Sequence, residues 1–155
     1  MQDLSPREKF IAGGAALMAL LAFFPWIRVS YGGAEMGELV GGPNVNGFWF
    51  TEGVIAFIAA LATFGLVCAD RAGMLPWPAR TRLLAPLAAS GVGTLCMVIC
   101  FGRFGGAANQ MISLGRSMWF YLALVAMGFA TFHAFQRWKE GTQAGAASPP
   151  SPPPL

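Results

Sequence analysis

Charged side chains are scarce in this sequence of 155 residues. Aspartate, glutamate, lysine and arginine make up 11% of the chain, whereas soluble domains average about 25%. Hydrophobic residues make up 55%. This balance argues against a water-soluble domain, a disordered chain and a nucleic-acid-binding module, because each of these needs many more polar or basic residues. An integral membrane protein is the class that fits.

Residues that bind metals or carry redox chemistry are also few. The chain has three cysteines, Cys68, Cys96 and Cys100, and one histidine, His133. Cys96 and Cys100 are four residues apart, which is not the C-x-x-C spacing of a redox dithiol, and no second pair completes a metal site. We therefore predict that these cysteines act as small packing residues. The sequence assigns no catalytic residue, no metal ligand and no cofactor site.

Four apolar runs stand out, and none of them contains aspartate, glutamate, lysine or arginine. Each is close to the ~20 residues that a helix needs to cross a bilayer, and a backbone in lipid must satisfy its own hydrogen bonds. The sequence therefore predicts an all-α membrane protein, a bundle of four transmembrane helices within residues 1–140. The predicted spans are residues 10–26, 53–69, 83–101 and 118–135. Ser5, Pro6 and Glu8 match the capping-box pattern of a helix start.

Lysine and arginine are distributed unevenly between the predicted loops. With the N-terminus in the cytoplasm, the inner segments carry seven of these residues and the outer loops carry three, Arg28, Arg103 and Arg116. The positive-inside rule therefore predicts a multi-pass protein with both termini cytoplasmic. All five tryptophans lie at predicted span ends, as interfacial anchors do.

The longest outer connection joins the first two spans. Residues 27–31 alternate apolar and polar side chains, which predicts a short strand. Gly32-Gly33 predicts a turn, and residues 35–40 a returning strand, so we expect a small hairpin-like outer loop. This loop carries a net charge of −2 and the second outer loop +2, which favours contact between the two.

Every predicted span carries a stripe of small residues at helical spacing, as close packing of helices in lipid requires. The stripes are Ala12, Ala15, Ala19 and Ala22 in the first span; Ala56, Ala60 and Thr63 in the second; Ala85, Ala89, Gly93, Cys96 and Cys100 in the third; and Ala123, Ala126, Ala130 and Ala134 in the fourth.

Aromatic, amide and charged side chains meet at the base of the first outer loop. We predict an outer-face binding surface there, with the two tryptophans as rigid anchors and the polar groups for orientation. The candidate residues are Trp26, Arg28, Asn46, Trp49 and Glu52. Each also has an ordinary explanation as a belt anchor, a turn residue or a helix start.

One resemblance rests on the same region. Phe24-Pro25-Trp26 closes the first span, and Asn46-Gly47-Phe48 and Glu52-Gly53 open the second. This layout resembles uncharacterised small four-span membrane proteins of bacteria, which implies a plasma (inner) membrane protein without a known activity. The topology is also similar to that of claudin-type tetraspans. The loop here lacks the paired cysteines of claudins, so none of their function is carried over.

The leading hypothesis is a non-enzymatic protein that acts as a binding or scaffold protein, or as an accessory subunit of a membrane complex. Its expected partners are the lipid bilayer and another membrane protein or a second copy of the chain, with no nucleic acid. One alternative is a small membrane redox, haem or metal protein that uses Cys96, Cys100 or His133. Another is an oligomeric pore. Residues 141–155 are rich in proline, alanine and glycine, and we expect a disordered cytoplasmic tail there.

Overall fold

The computed structural model describes residues 4–31, 45–103 and 112–147. These residues form four α-helices, three strands and one 3-10 helix. The helices are α1 (Pro6–Leu21), α2 (Thr51–Arg71), α3 (Ala79–Arg103) and α4 (Met118–Ala147). The strands are β1 (Pro25–Tyr31), β2 (Val45–Asn46) and β3 (Ile112–Arg116), and the 3-10 helix is Gly47–Trp49. Among the helices described, α2, α3 and α4 are long and apolar enough to cross a membrane.

Helix α1 begins where the capping-box pattern predicts. The Glu8 backbone N–H donates to the Ser5 hydroxyl, and the Glu8 carboxylate accepts the Ser5 backbone N–H. The helix ends at Leu21, earlier than the predicted span end at residue 26. Pro25 explains the difference, because proline disfavours helical backbone at the residue before it and here begins β1.

Small side chains line the contacts between the helices. The predicted stripes of α1, α2 and α4 are confirmed, since every member of them is buried. In α3 the buried line is Pro86, Ser90, Gly93, Met97 and Cys100. It shares only Gly93 and Cys100 with the predicted stripe, because α3 presents the neighbouring line of residues to the core. Met127 of α4 packs against the bare backbone of Gly93, so a large side chain fills the space that the glycine leaves.

The strands form one sheet at one end of the bundle, which we call the strand end. The order is β2-β1-β3, with β1 antiparallel to both neighbours. β1 covers the predicted strand at residues 27–31, but its long partner is β3, paired from Ile27 with Arg116 to Tyr31 with Ile112. The sheet therefore joins the two connections at this end. The predicted returning strand at residues 35–40 lies outside the described residues, so the hairpin stays a prediction.

Helix α4 extends beyond its predicted span. It continues to Ala147, whereas the sequence predicted a disordered tail from Gly141. The residues from 141 to 147 contain no proline to stop the helix, and Gly141 packs closely against the Leu83 side chain of α3. The remaining residues of the predicted tail, 148–155, lie outside the described residues.

Candidate functional site

Trp26 belongs to the core of the strand end. Its side chain is 1% exposed, and its indole Nε1–H donates to the Leu21 carbonyl oxygen at 2.9 Å. A Cβ on Gly47 would lie 2.9 Å from the indole ring, so the missing side chain makes room for it. Phe120 meets the ring edge-on, with centroids 5.6 Å apart. Trp26 therefore organises this end of the bundle and offers no surface to a partner.

Trp49 is the large exposed side chain of the predicted set, with 76% of its surface accessible. It ends the 3-10 helix, which Asn46 caps by accepting the Phe48 backbone N–H at 3.2 Å. The Gly47 backbone N–H donates to the Ala22 carbonyl oxygen at 3.2 Å. These hydrogen bonds hold the backbone below Trp49 in place while its ring projects from the bundle.

Glu52 lies in the first turn of α2 and pairs with Arg103 at the end of α3. The Glu52 side chain is 17% exposed, so little of the paired carboxylate is accessible to a partner. The pair joins the two connections of opposite charge. Arg28 has its backbone in β1, opposite Gly115 of β3, and its side chain lies outside the described residues.

Arg116 at the end of β3 has a role that sequence reasoning missed. Its guanidinium carbon lies 3.8 Å from the centre of the Phe101 ring, and its Nη2 donates to the Phe101 carbonyl oxygen at 2.8 Å. The next residue, Ser117, donates its backbone N–H to the Trp26 carbonyl oxygen at 2.9 Å. These contacts join the end of α3 and the start of β1 to the junction between β3 and α4. The predicted residues are thus brought to one end of the bundle, but most of them hold its structure together.

The opposite end of the bundle holds a network of charges, and we call it the charged end. Arg137 of α4 donates from Nη2 to Glu8 Oε1 of α1 at 2.9 Å and to Asp70 Oδ2 of α2 at 2.8 Å. The Glu8 and Asp70 side chains are 6% and 12% exposed, and that of Arg137 is 18% exposed. One guanidinium therefore joins three helices away from most of the solvent.

Two further arginines extend this network. Arg71 Nε lies 3.8 Å from Glu8 Oε2, and Arg82 Nη1 lies 3.6 Å from Asp70 Oδ1. Because Arg82 belongs to α3, the network links all four described helices. Three arginines face two carboxylates, so the charges nearly balance. An arrangement of this kind is suited to holding the ends of the four helices together.

This network was not predicted from the sequence, because arginines near span ends were interpreted only as topology signals. A usable signal was present, since all five residues lie within two positions of a predicted span boundary: Glu8, Asp70, Arg71, Arg82 and Arg137. Carboxylates and arginines that border four packed helices at the same end are close enough to pair. Counting only lysine and arginine, as the orientation rule does, leaves the two carboxylates out of account.

The cysteines and the histidine do not lie together in a ligand cluster. Cys100 is buried in the core and Cys96 is partly buried, while Cys68 is exposed. The His133 ring stacks on Phe10 with centroids 4.9 Å apart and meets Phe129 edge-on at 4.4 Å. Within the part of the chain that the structure describes, no three His, Cys, Asp or Glu side chains are grouped to hold a metal ion.

Comparison with known proteins adds no further assignment: no protein-family model matches the chain, and no curated protein matches its sequence.

Proposed function

We propose that this is a four-span integral protein of the plasma membrane that acts, without enzymatic activity, as a binding or accessory subunit of a membrane complex. The partner is another membrane protein or a second copy of the chain, and it contacts the strand end. The observation that carries the proposal is the exposed Trp49 ring on a backbone held by hydrogen bonds. The resemblance to small bacterial four-span proteins supports the plasma membrane.

The packing of α1 supports four spans. Its 16 residues reach about 24 Å, less than the ~30 Å of the hydrocarbon layer. Both ends of α1 nevertheless meet the ends of its neighbours. Glu8 contacts Arg71 of α2 and Arg137 of α4, and Ala22, just after α1, accepts a hydrogen bond from Gly47. α1 therefore runs alongside the three longer helices from one end of the bundle to the other.

The orientation follows from the same two ends. The charged end carries most of the lysine and arginine, so the positive-inside rule places it in the cytoplasm and the strand end outside. We expect a cysteine at exposed Thr51 to react with a membrane-impermeant maleimide in intact cells, and one at exposed Thr142 to react only after lysis. Both variants are made in a background in which the three native cysteines are alanine. The reverse labelling pattern would contradict this orientation.

Trp49 is suited to contact a partner because its surroundings are rigid and aromatic. The adjacent Phe48 packs edge-on against Phe23 and Phe57, with ring centroids 5.0 Å away in both cases. Phe23 is itself 63% exposed. A large, rigid aromatic surface at a well-defined position is what binding hot spots are built from.

A photo-crosslinking amino acid at position 49 should therefore give a discrete protein–protein product in intact cells. The same amino acid at Trp77, which is 39% exposed in the α2–α3 connection, is the matched control and should give none. Trp49→Ala should weaken capture of that partner by about 30-fold, since truncating a hot-spot tryptophan costs about 2 kcal/mol. Products with lipid alone at position 49 would identify Trp49 as a bilayer anchor and refute the proposal.

A further inference from the structure

A groove of about 310 Å³ runs along the outside of the bundle between α1 and α4. Its walls are large apolar side chains, among them Phe10 and Leu17 of α1 and Val125 and Phe129 of α4. All four are between 46% and 67% exposed. Phe10 and Phe129 meet edge-on near the charged end, with centroids 5.6 Å apart. The groove is therefore an apolar cleft on the outer surface of the bundle.

Two consecutive glycines give the groove its depth. A Cβ on Gly14 would lie 2.8 Å from the Ala126 carbonyl oxygen, so α1 and α4 are in close backbone contact there. A Cβ on Gly13 would meet nothing within 4 Å. Gly14 is thus needed for helix packing, whereas Gly13 leaves open space in the lining of the groove. A Cβ at position 13 would enter that space without touching the rest of the bundle.

Lys9 is the one charged residue among those that line the groove. It lies at the charged end and makes no ion pair within the described residues, whereas Arg71, Arg82 and Arg137 all face carboxylates. Its ammonium is therefore available to an anion at the same end of the groove where the cytoplasmic headgroups lie in the proposed orientation.

We propose that the groove binds an anionic phospholipid of the cytoplasmic leaflet, with one acyl chain between α1 and α4 and the phosphate at Lys9. From Lys9 to Leu17 the groove extends about 12 Å along α1, close to the ~15 Å of one hydrocarbon leaflet. The apolar lining matches the chain, and the unpaired lysine matches the charge of the headgroup. A helix from a second copy would need small residues along the rim, which Phe10, Leu17, Val125 and Phe129 do not supply.

The inference rests on the proposed membrane orientation and is independent of the outer partner. Native mass spectrometry of the detergent-purified protein tests it, with phosphatidylglycerol or phosphatidylcholine carrying identical chains added separately. The wild type should retain phosphatidylglycerol in preference to phosphatidylcholine. Gly13→Leu should lose this adduct, because leucine occupies the groove. Gly65→Leu is the matched control, since a Cβ on Gly65 of α2 also meets nothing within 4 Å, and it should bind lipid like the wild type.

The headgroup contact is tested separately with a surface substitution that leaves the bundle intact. Lys9→Gln should reduce the preference for phosphatidylglycerol by about fivefold, which corresponds to the attraction of one lysine near an anionic surface. Lys139→Gln removes another exposed lysine near the charged end, one that does not line the groove, and should leave the preference unchanged. Equal effects of the two lysine variants, or of the two glycine variants, would overturn the proposal. So would a wild type that forms dimers in this experiment and a Gly13→Leu variant that forms none but keeps its lipid, because the groove would then bind a second copy.

Discussion

Arg137→Gln should destabilise the folded bundle by about 3 kcal/mol, near the lower end of the cost of removing one partner from a buried ion pair. The arginine contacts both Glu8 and Asp70, at 2.9 and 2.8 Å. Without it, two carboxylates that are mostly shielded from solvent remain next to each other. Arg71 and Arg82 still lie 3.8 and 3.6 Å from them, which keeps the loss from being larger.

Unfolding of the purified protein in detergent, followed by circular dichroism against denaturant or temperature, measures this loss. Arg80→Gln is the matched control, because Arg80 also lies near the charged end but is exposed and makes no ion pair within the described residues. Surface substitutions of this kind change stability by about 0.5 kcal/mol or less. Equal stability of the two variants would show that the network contributes nothing to the fold.

A double-mutant cycle separates the Glu8–Arg137 contact from its surroundings. Glu8→Gln and Arg137→Gln combined should cost less than the sum of the single changes, by an amount within the roughly 0.5–3 kcal/mol range of coupled neighbours. The contact should also resist added salt, since shielded pairs are screened much less than exposed ones. The Glu52–Arg103 pair, in which Arg103 is 65% exposed, provides the comparison for salt sensitivity.

The helices could be predicted from the sequence because each is encoded locally. The lack of charge across each apolar run and the Ser5–Glu8 capping box are both read within one segment of the chain. The small-residue stripes of α1, α2 and α4 have the same local origin. The rotation of α3 depends instead on which side chains its neighbours present, as with Met127 at Gly93, so spacing alone could not define its buried face.

The sheet could not be predicted in the same way. The strand pattern of residues 27–31 is local, but pairing Ile27 with Arg116 joins positions that are separated by two long helices. Only the packed bundle brings the ends of those helices together. The charged network has the same non-local character, because Glu8, Asp70 and Arg137 come from three different helices.

For the candidate site, the sequence grouped residues that the structure brings to one end of the bundle, but it did not predict which of them are buried and which are exposed. A tryptophan at a span end can face either the lipid interface or the core, and the local pattern is the same for both. The two tryptophans differ in the residues that surround their rings. Gly47 and Gly53 pack against the Trp26 ring, whereas Trp49 is 76% exposed. We therefore expect substitution of Trp26 to lower the stability of the bundle and substitution of Trp49 to leave it nearly unchanged.

Trp26→Ala should cost about 3–5 kcal/mol of stability, the usual range for removing a large buried aromatic side chain. The indole is 1% exposed, fills the space over Gly47 and satisfies the Leu21 carbonyl at the end of α1. Its loss leaves a cavity where α1, β1 and α4 meet. Denaturant unfolding in detergent, alongside the wild type, gives the size of the effect.

Two variants show which feature of Trp26 matters. Trp26→Phe keeps an aromatic ring but loses the 2.9 Å hydrogen bond to Leu21, and it should be clearly more stable than Trp26→Ala. Trp49→Ala should change stability by about 0.5 kcal/mol or less, because that ring packs against little of the protein. If Trp49→Ala were as destabilising as Trp26→Ala, the exposed ring would belong to the fold and could not serve as the surface offered to a partner. A stable Trp49→Ala that loses its crosslinked partner, together with an unstable Trp26→Ala, would assign binding to one tryptophan and packing to the other.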